Sequence, residues 1–233
     1  MTVEEHPLEP FLPAEGRILF LGSFPPPKAR WSMDFFYPNR MNDFWRIMGL
    51  IHFNDRTYFE AGGGKRFDKD RIVAFAERNG LAFYDTAKKV CRHKDNASDN
   101  FLEILEPSDI SAMLAAMPLC RTVVTTGGKA SGELQAQLSA ARLGEGLFPE
   151  PDSSAASPLP PPSSRLAASP VPVPMPPIGG SVGVNAFGRH LRWWRMPSSS
   201  RAYPLKLEKK AELYRRLFET PCCPSTPCEE TEG

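Results

Sequence analysis

The stretch RILFLGSFPPPKARWSMDFFYPNRMNDFWRI, residues 17–47, joins a short apolar run, a proline-rich turn and an aromatic segment that also carries amides. Residues 18–21 are apolar and stop at Gly22, which is typical of a strand buried on both faces of a parallel sheet. The turn that follows then lies at the carboxyl end of a strand, where ligands bind in open α/β sheets. The stretch therefore predicts an α/β fold with a binding site at that edge.

The side chains of this stretch suit a pocket for a flat heterocycle. Gly22 allows the backbone to approach a ligand closely, and the prolines at 25–27 stiffen the turn because each fixes its φ angle. Aromatic rings such as Tyr37 offer faces for stacking, while amides such as Asn42 both donate and accept hydrogen bonds. We expect these groups to form the front wall of an active site.

Three segments in order, GSFPP, FFYPNRMNDFW and RMPSSSRAYP, resemble the uracil-DNA glycosylase superfamily, most closely its hypoxanthine-DNA glycosylase (DNA-deoxyinosine glycosylase) branch. That branch has a G-S-M-P-G type turn, then Y-x-H-P-x-N-x-F-W, and P-S-T-S-P-A near its C-terminus. The resemblance covers residues 17–45, 80–130 and 191–218. It implies a three-layer α/β/α fold around a short, mostly parallel sheet, and an enzyme that excises a deaminated base, uracil or hypoxanthine, from DNA by hydrolysing the N-glycosidic bond.

The resemblance also implies roles for individual residues. Tyr37, five positions before Asn42 as in the family, would stack on a base taken out of the duplex. Asn42 would orient water or polarise the base, helped by Asp85 at the end of the next strand, although Asn42 also suits the N-cap of a helix over residues 43–50. The implied base-binding pocket comprises Gly22, Ser23, Phe24, Tyr37 and Thr126, with Ser23 and Phe24 offering backbone groups to the base edge.

Two positions depart from the family pattern. Relatives with a catalytic Asn or Asp in the first turn have it where this chain has Phe24, which cannot activate water. A base-recognising Asn commonly ends the third strand, but Thr126 stands there, and a hydroxyl cannot make the paired contact that an amide makes. Activity then rests on Asn42 and Asp85, or has been lost, and the base specificity stays open.

A serine-rich loop follows the last predicted strand. We expect it to face the DNA backbone, because hydroxyls and loop N–H groups are common phosphate donors. Arg201 at its end either contacts phosphates and fills the emptied base stack, or forms a surface ion pair with Glu208 or Glu212. The implied DNA-binding residues are Pro197, Ser198, Ser199, Ser200 and Arg201.

Composition predicts one globular domain over residues 1–233, since 41% of the 233 residues are hydrophobic and 24% are charged. The net charge of +1 hides a basic stretch at 181–216, with nine Arg or Lys against two Glu. A basic surface suits a phosphate backbone, so damaged DNA, double- or single-stranded, is the expected partner. The alternative interpretation of the basic stretch is a helix whose charges are simply exposed to solvent. The resemblance implies a monomer.

No apolar run reaches the roughly 18 residues of a membrane span, and the acidic start does not suit a signal peptide. The sequence therefore predicts no membrane partner and a cytoplasmic, nucleoid-associated protein. Five cysteines without framework spacing fit a reducing compartment. Since Cys222, Cys223 and Cys228 have no fourth ligand nearby, we expect neither a metal nor another cofactor.

Hydrophobic periodicity places the remaining elements. Strands are predicted at 18–21, 81–84 and 121–126, with a hairpin at 181–187 and 191–196. Helices are predicted at 43–50, 68–79, 100–106, 107–117, 129–143 and 206–218, with Asp68 as the cap of the second helix and the lysines of the last helix facing outward. Arg92 and residues 96–99 are expected to form a polar loop, in which Ser98 or Asp99 would cap the helix at 100–106. Residues 149–180 are rich in proline and serine and predict a disordered insertion, either a linker or a proline-rich ligand, and residues 220–233 a flexible tail.

Two other functions fit the same sequence. One is a catalytically silent protein that binds DNA or nucleotides on the same fold, and the other is a hydrolase of free nucleosides. An excision assay on DNA that contains uracil, hypoxanthine or xanthine, with free nucleosides in parallel, distinguishes all three.

Overall fold

The computed structural model of this chain describes residues 2–93, 102–144 and 172–219. Their strands are β1 (Thr2–Glu5), β2 (Ile18–Gly22), β3 (Glu60–Ala61), β4 (Arg66–Phe67), β5 (Leu81–Asp85), β6 (Ala87–Arg92), β7 (Leu102–Pro107), β8 (Thr122–Thr126), β9 (Gly180–Ala186) and β10 (Arg189–Met196). Their helices are α1 (Phe44–Phe53), α2 (Lys69–Arg78), α3 (Ile110–Ala116), α4 (Gly128–Gly144) and α5 (Leu207–Glu219), with a short 3₁₀ turn at Lys28–Arg30.

The central sheet has the strand order β5-β2-β8-β10-β9. The first four strands are mutually parallel, and β9 pairs antiparallel with β10 at one edge. Every residue of β2 is buried, as expected for a strand with neighbours on both sides and cover on both faces. The prediction of an α/β fold around a mostly parallel sheet is confirmed, and the carboxyl ends of β2, β5, β8 and β10 meet at one edge.

A second, antiparallel sheet of order β1-β6-β7 corrects the prediction for this region. A helix was expected at 100–106, but Leu102–Pro107 is a strand. Leu102 and Ile104, two positions apart, pack on Phe24 and Val90, while Glu103 and Leu105 lie on the other face. This repeat of two residues is typical of a strand and not of a helix. Arg92 was expected in a polar loop, whereas it lies buried in β6 and pairs with Glu4. The expected loop and cap residues 96–99 lie outside the described residues.

Most helix boundaries agree with the sequence patterns. The Asp68 side chain accepts a hydrogen bond from the Arg71 N–H at 3.1 Å and so caps α2, as predicted. Helix α1 extends to Phe53 and ends at Asn54, whose φ of 53° is left-handed. Helix α5 contradicts the expectation that its lysines face outward, because the Lys210 side chain is completely buried.

The predicted insertion is shorter at its C-terminal end than the sequence suggested. Val173 lies in the core against α4, although 149–180 was expected to contribute no core residue. Its carbonyl oxygen accepts a hydrogen bond from Gln135 Nε2 at 2.8 Å, and its N–H donates to Ser139 Oγ at 3.1 Å. The rest of the insertion, residues 149–171, and the cysteine-containing tail lie outside the described residues.

Across the three described segments, no helix combines the length and the apolar character that crossing a membrane would require.

Candidate active site

A cavity of about 750 Å³ opens at the carboxyl edge of the central sheet. The turn after β2, the aromatic segment before α1, the end of β5, the end of β8 and the loop after β10 all contribute to its wall. Of the residues singled out from the sequence, those that line the cavity are Gly22, Ser23, Phe24, Tyr37, Asn42, Asp85, Thr126, Ser198, Ser199, Ser200 and Arg201. Pro197 is set back from it, and its carbonyl oxygen accepts a hydrogen bond from the Tyr214 hydroxyl at 2.8 Å.

Asp85 is placed by the register of two neighbouring parallel strands. Gly22 and Asp85 are direct partners at the carboxyl ends of β2 and β5. A Cβ atom at position 22 would lie 2.3 Å from Asp85 Oδ1, so only glycine leaves room for this carboxylate. The carboxylate therefore lies next to the end of β2 and lines the cavity.

His6 contacts Asp85 and was not singled out from the sequence. Its Nε2 lies 2.9 Å from Asp85 Oδ2, across 79 positions in the chain. The His6 side chain is 1% exposed and the Asp85 side chain 13%. A lone histidine in an acidic N-terminal segment carries no local signal, because only the pairing of β1 with β6 brings it to the cavity.

Tyr37 is held rigidly at the cavity wall. Its φ of 53° is left-handed, which is unusual for an aromatic residue and occurs mainly where the surroundings enforce it. One face of its ring stacks on Phe44, with centroids 3.9 Å apart and planes 7° apart. The Tyr37 hydroxyl and Thr126 Oγ1 are 3.1 Å apart, and burial raises the pKa of the phenol, so the hydroxyl stays protonated. Thr126 is thus engaged with Tyr37.

Asn42 has a definite structural role. Its Oδ1 accepts a hydrogen bond from the Phe44 N–H at 2.9 Å, at the start of α1. The helix-capping interpretation was thus close, although the N-cap position itself belongs to Asp43, whose side chain makes no cap hydrogen bond. With the oxygen engaged, the Asn42 amide nitrogen is the end of this side chain that can donate to a ligand.

The turn after β2 is partly occupied by internal contacts. The Ser23 carbonyl oxygen accepts a hydrogen bond from the Ala87 N–H at 3.3 Å, which engages one of the backbone groups expected to contact a base. The Phe24 ring is buried and meets the edge of the His6 ring, with centroids 5.4 Å apart. Phe24 therefore forms an apolar part of the cavity wall.

The loop after β10 is tied to the start of α1. Its backbone pairs with that segment through the hydrogen bonds Asp43 N–H to Ser199 O, 2.8 Å, and Arg201 N–H to Met41 O, 3.0 Å. Arg201 Nε donates to Asp43 Oδ1 at 2.8 Å. The alternative of a surface ion pair with Glu208 or Glu212 is therefore wrong, because Arg201 pairs with Asp43 and Glu212 pairs with Lys209.

Lys210 contacts both the loop after β10 and the residue before α1 from the interior of the protein. Its Nζ donates to the Ser200 carbonyl oxygen at 2.7 Å and lies 3.8 Å from Asp43 Oδ2. Burial lowers the pKa of Lys210, while the nearby Asp43 carboxylate opposes that shift. The amphipathic pattern of α5 gave no sign of it, because lysine is among the residues least often buried.

The basic stretch is less available to a polyanion than its sequence suggested. Arg189 donates to the Met117 carbonyl oxygen at 3.0 Å, and Arg195 Nη1 lies 3.4 Å from the Pro176 carbonyl oxygen. Lys210 is buried and Arg201 pairs with Asp43. At least four of its nine cations therefore make internal contacts.

A cluster outside the cavity bears on the expectation that no metal is bound. Cys91 of β6, His93 directly after that strand and Glu103 of β7 bring one possible ligand atom each within 4.8 Å of one another. His93 Nε2 lies 2.8 Å from Glu103 Oε2. We interpret the His93–Glu103 contact as a side-chain pair between neighbouring segments of this sheet.

The fold and the cavity together define an α/β protein with a nucleotide-sized cavity at the carboxyl edge of a mostly parallel sheet. No family model matches the chain, and no curated protein does. Among solved structures, the chain is similar to a protein from Methanosarcina acetivorans, studied by solution NMR and provisionally assigned as a uracil DNA glycosylase. The TM-score is 0.52 and the identity 19%, over 94% of this chain and 100% of the other. At this identity, the similarity shows a shared fold.

Proposed function

We propose that this protein is a monofunctional DNA glycosylase of the uracil-DNA glycosylase superfamily, built on a three-layer α/β/α fold, which excises uracil or hypoxanthine in base-excision repair. The observation that carries the proposal is that Asp85, at the end of β5, lines the same cavity as Tyr37 and Asn42, which come from the segment before α1. The resemblance of the loop motifs and the fold shared with the Methanosarcina acetivorans protein support it. Within the superfamily, we propose that the protein belongs to the hypoxanthine-DNA glycosylase branch.

The cavity suits the first step that such an enzyme must perform. A base inside a duplex is unreachable, so the enzyme extrudes the nucleotide into a pocket. A volume of about 750 Å³ lies within the range of small-molecule sites, about 300–1,000 Å³, and leaves room for water beside the base. Because Phe44 covers one face of Tyr37, the other face is the one that stacks on the extruded base.

Asp85 supplies the charge that the chemistry needs. As the C1′–N bond breaks, its electron pair leaves with the base and the sugar gains oxocarbenium character. The Asp85 carboxylate stabilises that positive charge and accepts a proton from the water whose oxygen bonds to C1′. The products are an abasic sugar with a C1′ hydroxyl and a base whose negative charge the Asn42 amide stabilises by donating a hydrogen bond.

The proposed base specificity follows from the residue at the end of β8, which is Thr126 and not an asparagine or glutamine. Thr126 Oγ1 is engaged with the Tyr37 hydroxyl, so this position does not read the base with a paired amide contact. Uracil and hypoxanthine share an N–H next to a C=O, and we propose that the enzyme accepts both. The loop 198–201 contacts the phosphates of single- or double-stranded DNA, and a monomer is the expected active form.

An excision assay tests the proposal. Duplexes that contain uracil, hypoxanthine or xanthine are incubated with the protein and cleaved at abasic sites, with free nucleosides in parallel. We expect excision of uracil or hypoxanthine, and Asp85→Asn should lower the single-turnover rate by about 10²–10⁴-fold. The control is Asp109→Asn at the cap of α3, away from the cavity.

Each other outcome would contradict the proposal in a recognisable way. DNA binding without excision of any base would identify a silent binder on the same fold. Hydrolysis of free nucleosides but not of DNA would identify a nucleoside hydrolase.

A further inference from the structure

The His6 ring occupies an aromatic box behind the cavity. The His6 N–H donates to the Lys88 carbonyl oxygen at 2.8 Å, which extends the pairing of β1 with β6 by one residue. The ring centroid lies 4.5 Å from that of Tyr84, 5.4 Å from Phe24 and 6.2 Å from Phe36. Since these neighbours are mainly apolar faces, the polar contacts of the ring are confined to its two nitrogen atoms.

One nitrogen faces the carboxylate of the proposed active site. His6 Nε2 is 2.9 Å from Asp85 Oδ2. An ionised carboxylate can only accept hydrogen bonds, so Nε2 carries a proton whenever Asp85 is ionised. Asp85 lines the cavity and His6 does not, so His6 acts on a ligand only through Asp85.

The other nitrogen has a partner in either protonation state. His6 Nδ1 lies 2.8 Å from the Leu8 carbonyl oxygen and 3.2 Å from the Leu8 backbone nitrogen. A protonated Nδ1 donates to the oxygen, whereas an unprotonated Nδ1 accepts from the Leu8 N–H. Nδ1 therefore has a hydrogen-bond partner in either tautomer or charge state, and the donation from Nε2 to Asp85 does not depend on which one is present.

We propose that His6 is a positioning residue for Asp85: it occupies Oδ2 and leaves the other carboxylate oxygen to direct the attacking water. The inference rests on the proposed glycosylase function and adds a residue to it. In the step, the water oxygen bonds to C1′, the C1′–N electron pair leaves with the base, and the water proton passes to the carboxylate oxygen that His6 does not occupy. A donor on Oδ2 fixes the plane of the carboxylate.

The surrounding charges leave this interaction undisturbed. Burial raises the pKa of Tyr84 to about 12, helped by the Asp85 charge, so the phenol stays neutral beside the ring. Glu4, on the strand that precedes His6, pairs with Arg92. Lys88, whose carbonyl oxygen accepts the His6 N–H, pairs through its side chain with a glutamate of β7. Asp85 is therefore the charged group that the imidazole contacts.

Single-turnover excision by two His6 variants tests the role. His6→Phe keeps a flat ring in the box but removes the donor, and the rate should fall by about 10–100-fold, the usual range for residues that orient a reactive group in metal sites. His6→Gln, whose amide nitrogen can reach the position of Nε2, should restore most of the rate. His93→Gln, an exposed histidine of the same sheet region, should change nothing.

A measurement on the wild-type protein accompanies the kinetics, because replacing a buried ring can also affect the folding of a variant. In the wild-type protein, ¹⁵N NMR should show His6 Nε2 protonated at neutral pH, and an unprotonated Nε2 would overturn the inference. If the wild type is active and His6→Phe excises bases at the same rate, the inference about His6 is overturned while the proposed function stands. A wild type that excises no base would overturn the proposed function together with it.

Discussion

Arg201 Nε donates a 2.8 Å hydrogen bond to Asp43 Oδ1, across 158 positions in the chain. The contact joins the loop after β10 to the start of α1, where Asn42 and Ser200 also form an isolated antiparallel bridge. Asp43 is buried, and Lys210 lies near its second oxygen. The second and third motifs of the sequence are therefore one structural unit, and a change in either is expected to affect the other.

The first prediction concerns Arg201 as a DNA contact. Its side chain is 41% exposed, so the guanidinium is anchored at Nε and still accessible. Arg201→Ala should lower excision most for a base in a stable pair and least in single-stranded DNA, where little unstacking is required. Asp43→Asn should reproduce that pattern, because it releases the anchor. Single-turnover rates that fall by the same factor on both substrates would remove Arg201 from the DNA site.

A stability measurement separates this junction from an ordinary surface ion pair. Asp43→Ala should cost about 3–5 kcal/mol of unfolding free energy, because it leaves the buried Lys210 without its carboxylate. The matched control is Glu212→Gln, which breaks the exposed pair with Lys209 and should cost less than about 1 kcal/mol. Urea denaturation at neutral pH provides both values.

Tyr37 allows the stacking role to be separated from its hydroxyl. Tyr37→Ala should weaken binding of DNA with an extruded base by about 1–3 kcal/mol, through loss of the stacking face. Tyr37→Phe keeps that face and should leave binding nearly unchanged, while the lost contact with Thr126 should cost about 1 kcal/mol of stability. Fluorescence binding and thermal melting measure the two effects. Equal binding losses in both variants would contradict the stacking role.

Asn42 has two proposed roles that one substitution can separate. Asn42→Asp retains an oxygen for the Phe44 N–H, so stability should stay within about 0.5 kcal/mol, but it removes the amide donor. Excision should then fall sharply. Asn42→Ala removes both groups and should also destabilise the protein by about 1 kcal/mol. If the Asp variant excises bases at the wild-type rate, Asn42 acts only at the start of the helix.

Gly22 tests the placement of Asp85 without touching the carboxylate. Gly22→Ala would bring a Cβ atom to 2.3 Å from Asp85 Oδ1, so the carboxylate must move. Excision should fall nearly as far as in Asp85→Asn, at a stability cost of about 1–3 kcal/mol. The control is Gly132→Ala on α4, where a Cβ atom meets nothing within 4 Å. This substitution should raise the free energy of unfolding by about 0.5–1 kcal/mol and leave excision unchanged. If Gly22→Ala excises bases at the wild-type rate, the Asp85 carboxylate does not have the proposed catalytic role.

The parts of the fold that sequence predicted are those with strong local patterns. The apolar run of β2, the cap of α2 and the turn between β9 and β10 each carry their own signal, and all three are present. The last of these is a two-residue turn in which both Phe187 and Gly188 have positive φ. Because parallel strands end at a common edge, those local predictions also indicated that Gly22, Asp85 and Thr126 would lie close together.

The parts that sequence missed depend on contacts between distant segments. His6 reaches Asp85 only because β1 pairs with β6, and Lys210 is buried only because Asp43 and a loop carbonyl receive its ammonium group. Neither residue has neighbours in sequence that reveal such a partner. The strand β7 was missed for a different reason, since a short segment of alternating leucine, isoleucine and glutamate fits both periods.

The last prediction concerns the boundary of the proline-rich insertion. Val173 is 1% exposed and docks on α4 through both its side chain and its backbone. Val173→Ala should therefore cost about 1.5–3 kcal/mol, whereas Ile178→Ala, which shortens an exposed side chain in the same segment, should cost less than about 0.5 kcal/mol. Replacing 151–170 by a Gly/Ser linker should leave the melting temperature unchanged, and extending the replacement to 177 should lower it by several degrees. Equal melting temperatures for the two linkers would show that Val173 contributes nothing to the core.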